Sequence, residues 1–319
     1  MEDNFMLKVG LVGVGGISGA HIPGWLALDD VELVALCDVR PEQMEKYPDI
    51  RLNTDFNAML ANETLDILDI CLPTNLHVEY AIKAMEKGIN VLCEKPISLN
   101  RDDVKRVYEA AEKNNVKFMV AHVIRFWREY EFVKSVYESG KYGKLLFGNM
   151  KRLSAFPAWS WDNWMRDEKR SGFVPYDLHI HDLDFMIYAF GAPKDIKSYR
   201  TKLSDQDYIN VTYDFGDFAI NAESSWFACG YPFTAQFRFQ FEDAIISNEG
   251  QGLKIYERVG SVVSLEEAAT GDTGEINLPK SGAYAVEIAY FKDCVKNDTM
   301  PEKVKPDELE TVIDILNNL

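Results

Sequence analysis

Residues 177–184 read DLHIHDLD, which puts two histidines and three aspartates within eight positions of a chain that has only five histidines. On a helix, Asp177, His181 and Asp184 fall at i, i+4 and i+7 and share one face, while His179 and Asp182 share another. The five groups cannot all converge on one ion, so no metal is expected. A carboxylate four residues before a histidine can accept one ring N–H, fix the tautomer and leave the other nitrogen as a base. The spacing therefore points to acid/base work by Asp177 and His181. The bland alternative is a capped helix with a satisfied, half-buried histidine. A second candidate is Lys95 in LCEKPIS, where an apolar run ends. A strand-end lysine at the C-terminal edge of a parallel sheet faces the ligand crevice. The alternative is a surface pair with Glu94.

The elements that must position these groups change character along the chain. Over residues 1–122, apolar runs (6–13, 31–38, 65–73, 89–95, 116–122) alternate with helical patterns such as HVEYAIKAMEKG and RDDVKRVYEAAEKNN. Continuous apolar runs suit strands buried on both faces, and strand–helix alternation implies right-handed βαβ units in a doubly wound parallel sheet. After the first run comes GVGGIS. Gly13, Gly15 and Ser18 occupy the three positions of G-x-G-x-x-G/A, with Gly16 and Ile17 between them, so this loop is expected to wrap a pyrophosphate at a helix N-terminus. Asp38 ends the second run, 25 residues after Gly13, about where an acidic residue meets the ribose hydroxyls of a dinucleotide. A carboxylate there favours NAD. Arg40, two residues on, offers a place for the 2′-phosphate of NADP.

Residues 123–319 read as an α+β domain, to which the resemblance given below assigns substrate binding and oligomerisation. LLFGNMKRLSAF reads as a strand, followed by a tryptophan-rich loop (157–172) and the helix through DLHIHDLDFMIYAF. Period-two strands follow, including TAQFRFQFED with Phe237, Phe239 and Phe241 on one face, and a hairpin over 207–227 bent near Gly216. These predict a large open, mainly antiparallel sheet. An acidic, Gly-rich loop is expected at 266–275, and two helices close the chain.

Composition excludes some partners. Lys+Arg 34 against Asp+Glu 51 gives a net charge of −17, unsuited to nucleic acid or an anionic membrane. The five cysteines (Cys37, Cys71, Cys93, Cys229, Cys294) form no CxxC, so neither a disulfide framework nor a zinc site is suggested. The start MEDNFMLKVG has no leader pattern and no apolar run reaches membrane-spanning length, so a cytoplasmic protein is expected.

GVGGIS with Asp38, then EKP, then D-x-x-x-H-D-x-D stand in order, and the chain resembles the Gfo/Idh/MocA oxidoreductases over nearly its whole length. The resemblance also rests on LPTNLHVEYAIKAMEKGINVLCEKPIS and SGFVPYDLHIHDLDFMIYAFGAP. It implies a Rossmann domain, a second domain whose sheet packs between subunits, and homodimers or homotetramers, which would suit the phenylalanine face. It implies Lys95, Asp177 and His181 as the catalytic trio. Pro73, Thr74, Asn75 and His77 would line the nicotinamide side, with Glu94 and Pro96 completing the motif around a Lys95–Pro96 bond that is often cis. Arg125, Trp161 and Trp164 would face the substrate. The family's glycines before the histidine helix are missing in SGFVPYD, and His179 stands where a glycine is common. The implied activity is hydride transfer between a sugar, inositol or related polyol and NAD(P). Two alternatives are an NAD-dependent glycosidase and a non-catalytic cofactor-binding regulator.

Overall fold

The computed structural model describes residues 6–250, 252–259, 262–265 and 282–319. The acidic loop expected at 266–275, and residues 1–5 of the stretch read for a leader, lie outside them. Among the described residues, no helix is long and apolar enough to cross a membrane.

The first unit runs to Val123 and takes the chain back again through Glu310. Its strands are β1 (Leu7–Val12), β2 (Val31–Cys37), β3 (Arg51–Asn53), β4 (Ile67–Ile70), β5 (Asn90–Glu94) and β6 (Phe118–Ala121), in the order β3-β2-β1-β4-β5-β6. All pairs are parallel, and β1, β2, β4, β5 and β6 are mostly buried along their length rather than alternating, while the edge strand β3 is largely exposed. The α-helices between these strands are α1 (Ser18–Leu26), α2 (Phe56–Asn62), α3 (His77–Met85) and α4 (Arg101–Lys113). On α4 the buried residues are Val104, Val107 and Ala111, one stripe at helical spacing, with Asn100 capping the first turn through Asp102.

The second unit, Ile124–Thr270 with Thr311–Leu319, holds α5 (Arg128–Ser139), β7 (Leu145–Ala155), α6 (Glu168–Ser171), α7 (Ile180–Phe190) and strands β8 (Asp195–Lys202), β9 (Asp207–Asp214), β10 (Ala219–Phe227), β11 (Thr234–Phe241), β12 (Ala244–Ser247), β13 (Leu253–Glu257) and β14 (Val262–Leu265). The eight strands form one sheet, β14-β13-β12-β11-β7-β10-β9-β8, antiparallel except where β7 and β10 run parallel.

Two expectations need correction. Residues 123–319 do not make one unit: α8 (Ala283–Lys296) packs on α1, where Gly24 leaves room for Ile288, and Lys292 and Lys296 pair with Asp30. The final helix, α9 (Pro306–Leu316), spans the boundary. The phenylalanine face of β11 is core rather than a surface for a second subunit. Phe237, Phe239 and Phe241 are buried, with Phe237 against Tyr130 of α5 at 5.0 Å and Phe239 against Phe185 of α7 at 6.3 Å. Period two shows that one face is apolar; it does not say what covers that face.

Candidate active site

In the first unit, the turns after β1, β2, β4 and β5 come together at the C-terminal edge of the sheet. Gly13, at φ +92°, donates its N–H to the Cys37 carbonyl at 2.8 Å, and a Cβ there would meet the Cys71 carbonyl oxygen at 2.5 Å. Only glycine fits both the left-handed backbone and that approach. A Cβ on Gly15 would meet nothing within 4 Å but an Arg40 nitrogen at 3.9 Å. The loop thus presents bare backbone to open space at the start of α1, whose first turn carries no acidic residue. Gly16 and Ile17 close the turn onto α1 by accepting from Gly19 and Ala20 at 3.1 and 2.9 Å, and Ser18 donates its hydroxyl to the Gly15 carbonyl at 2.7 Å. A pyrophosphate suits this cradle, because helix N-termini favour anions and the first turn of α1 carries no acidic side chain.

Asp38 ties the glycine loop to the next turn. One oxygen accepts from the Val14 N–H at 2.8 Å; the other accepts from the Arg40 N–H at 2.8 Å and Nε at 3.1 Å. Thr74 is buried in the turn after β4, between half-buried Pro73 and exposed Asn75. His77 departs from its expected place along the crevice. It is buried, with Nδ1 2.8 Å from the Pro96 carbonyl and Nε2 2.7 Å from the Leu72 carbonyl, and so braces two turns against each other. Burial lowers its pKa. The Lys95–Pro96 bond is cis. From Val91 through Ser98 every residue is buried except Lys95.

In the second unit, DLHIHDLD sorts itself. Pro175–His179 form a π-helical turn leading into α7, a wide turn often found at functional sites. Three of its polar groups point inward to fixed partners. His179 meets the Ser224 hydroxyl at 3.0 Å and the Tyr213 hydroxyl at 2.7 Å, and burial drives its pKa down to about 3, leaving it neutral. Asp182 accepts from Arg152 at 2.7 and 3.2 Å, and Arg152 also donates to the Tyr130 hydroxyl. Asp184 holds Arg125 through two hydrogen bonds of 2.9 and 2.6 Å. That leaves Asp177 and His181, the two residues between Val174 and Ile187 that are not buried.

Arg125 is a further correction. Expected at the substrate, it is fully buried, paired with Asp184 and stacked on Tyr188 at 4.7 Å. Trp161 is exposed and Trp164 half-buried, in a turn where Asp162 and Asn163 take left-handed backbone. Lys95 belongs to the first unit, and Asp177 and His181 to the second.

Sequence reasoning passed over a polar cluster beneath the motif. His21 lies between Asp69 and Glu94, and Trp25 donates to Asp69. The signal was a lone aspartate in the apolar run ILDIC and a histidine on an apolar helix. His21, Asp69 and Cys71 are near enough to ligate an ion. However, the Asp69 oxygen already accepts from His21 and Trp25, and burial pushes the Cys71 thiol up to about 12.

Residues 7–122 match the model of an oxidoreductase family with an NAD-binding Rossmann fold, and residues 130–247 match the GFO/IDH/MocA C-terminal domain. The chain is 31% identical over 188 residues to a D-apiose dehydrogenase of Paraburkholderia graminis, covering 58% of this chain and 50% of that protein. It is 30% identical over 195 residues to a 2,7-anhydro-N-acetylneuraminate hydratase of Mediterraneibacter gnavus, covering 60% and 52%. The matched region thus spans about half the length of these curated relatives. In fold it is similar to a levoglucosan dehydrogenase solved with NADH and levoglucosan, at TM-score 0.83 and 18% identity over 98% of this chain and 95% of the other.

Proposed function

The chain belongs to the Gfo/Idh/MocA oxidoreductase family, and from that premise we propose that it transfers a hydride between a sugar, inositol or related polyol carbinol and NAD. The observation that carries this reading is the exposure pattern: Lys95, Asp177 and His181 are only half-buried in segments that are otherwise buried. The Gly13–Ser18 loop and Asp38 would hold the cofactor, which when bound would supply the hydride acceptor. His181 takes the hydroxyl proton as the carbinol hydrogen leaves. Asp177 orients the His181 ring and stabilises its cationic form. Lys95 donates a hydrogen bond to the same oxygen and stabilises developing alkoxide charge. Trp161 and Trp164 offer faces for the apolar side of a sugar ring.

Asp38 favours NAD over NADP, since its carboxylate stands where a 2′-phosphate would be repelled. A homodimer or homotetramer goes with this reading, through the outer face of the second sheet, where Phe147 and Tyr256 are exposed. Sedimentation of the full chain tests that assembly; a monomer at working concentration contradicts it.

A second reading is an NAD-dependent glycosidase, in which oxidation is transient and no NADH accumulates. Incubation with NAD and a panel of aldoses, inositols and sugar acids separates the two. NADH formed in step with oxidised sugar supports the dehydrogenase. A changed sugar without NADH supports the second reading. No reaction with any member contradicts the proposed substrate class.

A further inference from the structure

His21 plays no part in the proposed hydride transfer, yet it meets Glu94, the residue next to Lys95. It is completely buried on α1. Its Nδ1 is 2.8 Å from Asp69 Oδ2 on β4, and its Nε2 is 3.0 Å from Glu94 Oε1 on β5. Trp25 donates to the same Asp69 oxygen at 2.7 Å, and the backbone N–H of Lys95 donates to the other Glu94 oxygen at 3.0 Å. From α8 the Tyr284 ring packs on His21 at 5.7 Å, with buried Glu287 one turn further along. The Cys71 thiol, which burial keeps protonated, stands beside Asp69 at 3.7 Å.

Ionised carboxylates only accept hydrogen bonds. A neutral imidazole has one donor, so it would turn a lone pair toward one of these two carboxylates. A ring that satisfies both must carry both protons. We propose that His21 is a positioning residue, a buried imidazolium clamped between Asp69 and Glu94 that keeps Glu94 ionised and aimed at the backbone of Lys95. The proposal rests on the reading of Lys95 as a site residue.

The electrostatics agree with the geometry. Burial alone would lower the His21 pKa, but Asp69, first by its charge, and then Cys71 lift it well above the ordinary value. Burial alone would raise that of Glu94, but His21, then Lys95 and His77, hold it below the usual carboxylate range. Without the cation, two carboxylates would share a dry pocket and one would take up a proton. A protonated Glu94 would no longer offer the Lys95 N–H a full anion.

Two measurements on the full chain test this. The first is nitrogen NMR of the histidine rings, with the His21 signals assigned by their loss in His21→Asn. The doubly protonated ring should persist at about pH 8, where an unperturbed histidine is neutral. A neutral ring there overturns the proposal, whether or not a substrate is known. The second compares variants by pH profile. The amide of His21→Gln reaches toward Glu94, and that of His21→Asn toward Asp69. Turnover should be about tenfold higher in the Gln variant, as befits a hydrogen bond to a charged group. The acid limb of kcat/KM should move to higher pH in both, with NADH affinity little changed. Equal turnover and an unmoved acid limb would reduce His21 to a packing residue. Absence of turnover in the unaltered protein would instead count against the functional reading, and the NMR result would decide His21 by itself.

Discussion

At the scale of residues, the site rests on which polar groups are fully buried and which are partly exposed. Lys95→Ala and His181→Ala should each lower kcat by about 10²- to 10⁴-fold, the range for a positioned acid or base, while NADH still binds. Near-native turnover in either variant removes that residue from the mechanism. Asp38 supports a sharper expectation. Its carboxylate holds the Arg40 guanidinium at 3.1 and 3.2 Å, so Asp38→Ser both removes a repelling charge and releases a cation. The ratio of NADPH to NADH affinity should rise by about tenfold or more, about 1.4 kcal/mol. An unchanged ratio places the ribose contact elsewhere. The glycine loop and Asp38 stood out by residue type and spacing; Lys95, Asp177 and His181 stood out only as candidates, and their catalytic roles came from the family resemblance. The inward turn of His77 was not legible, because its partners are the Leu72 and Pro96 backbone carbonyls, which residue types do not reveal; nor was that of Arg125, whose partner Asp184 lies 59 residues away. Pairing between distant segments leaves no trace in local spacing.

At the scale of elements, α7 and the turn before it are pinned to the second sheet by groups that resemble catalytic ones in sequence. Asp184→Ala leaves the Arg125 charge buried and should destabilise by about 3–5 kcal/mol. Denaturant unfolding measures this, and a loss below about 1 kcal/mol would mean the pair is not holding α7. His179 adds a pH dependence whose sign follows from its depressed pKa, about 3 in the folded chain against about 6.5 when unfolded. Between those values the unfolded chain binds the extra proton. Stability therefore falls as pH drops through about 6.5 toward 3. His179→Gln should flatten that part of the stability–pH curve; an equally steep curve would mean the ring is not held neutral. The strands were readable because apolar runs and period-two alternation report burial directly. The π-helical turn was not, since its residues fit an ordinary helix equally well.

At the scale of the molecule, two sheets of opposite character divide the work. The parallel sheet, in the order β3-β2-β1-β4-β5-β6, gathers the nucleotide loops at one edge, while the mixed eight-stranded sheet carries Asp177 and His181 through α7 and its leading turn. The change in pattern near residue 122 marks the first crossing between units. The return of α8 to α1 was hidden, because a helix's amphipathic face does not name the surface it will cover. The central claim is that the first unit binds NAD for hydride chemistry on a sugar or polyol. Its most direct test is fluorescence titration of nucleotide-stripped full chain with NADH and, separately, NADPH. Saturable one-site binding of NADH, tighter than NADPH and reversed in preference by Asp38→Ser, is the predicted result. Failure of the stripped protein to bind either nucleotide would contradict the account.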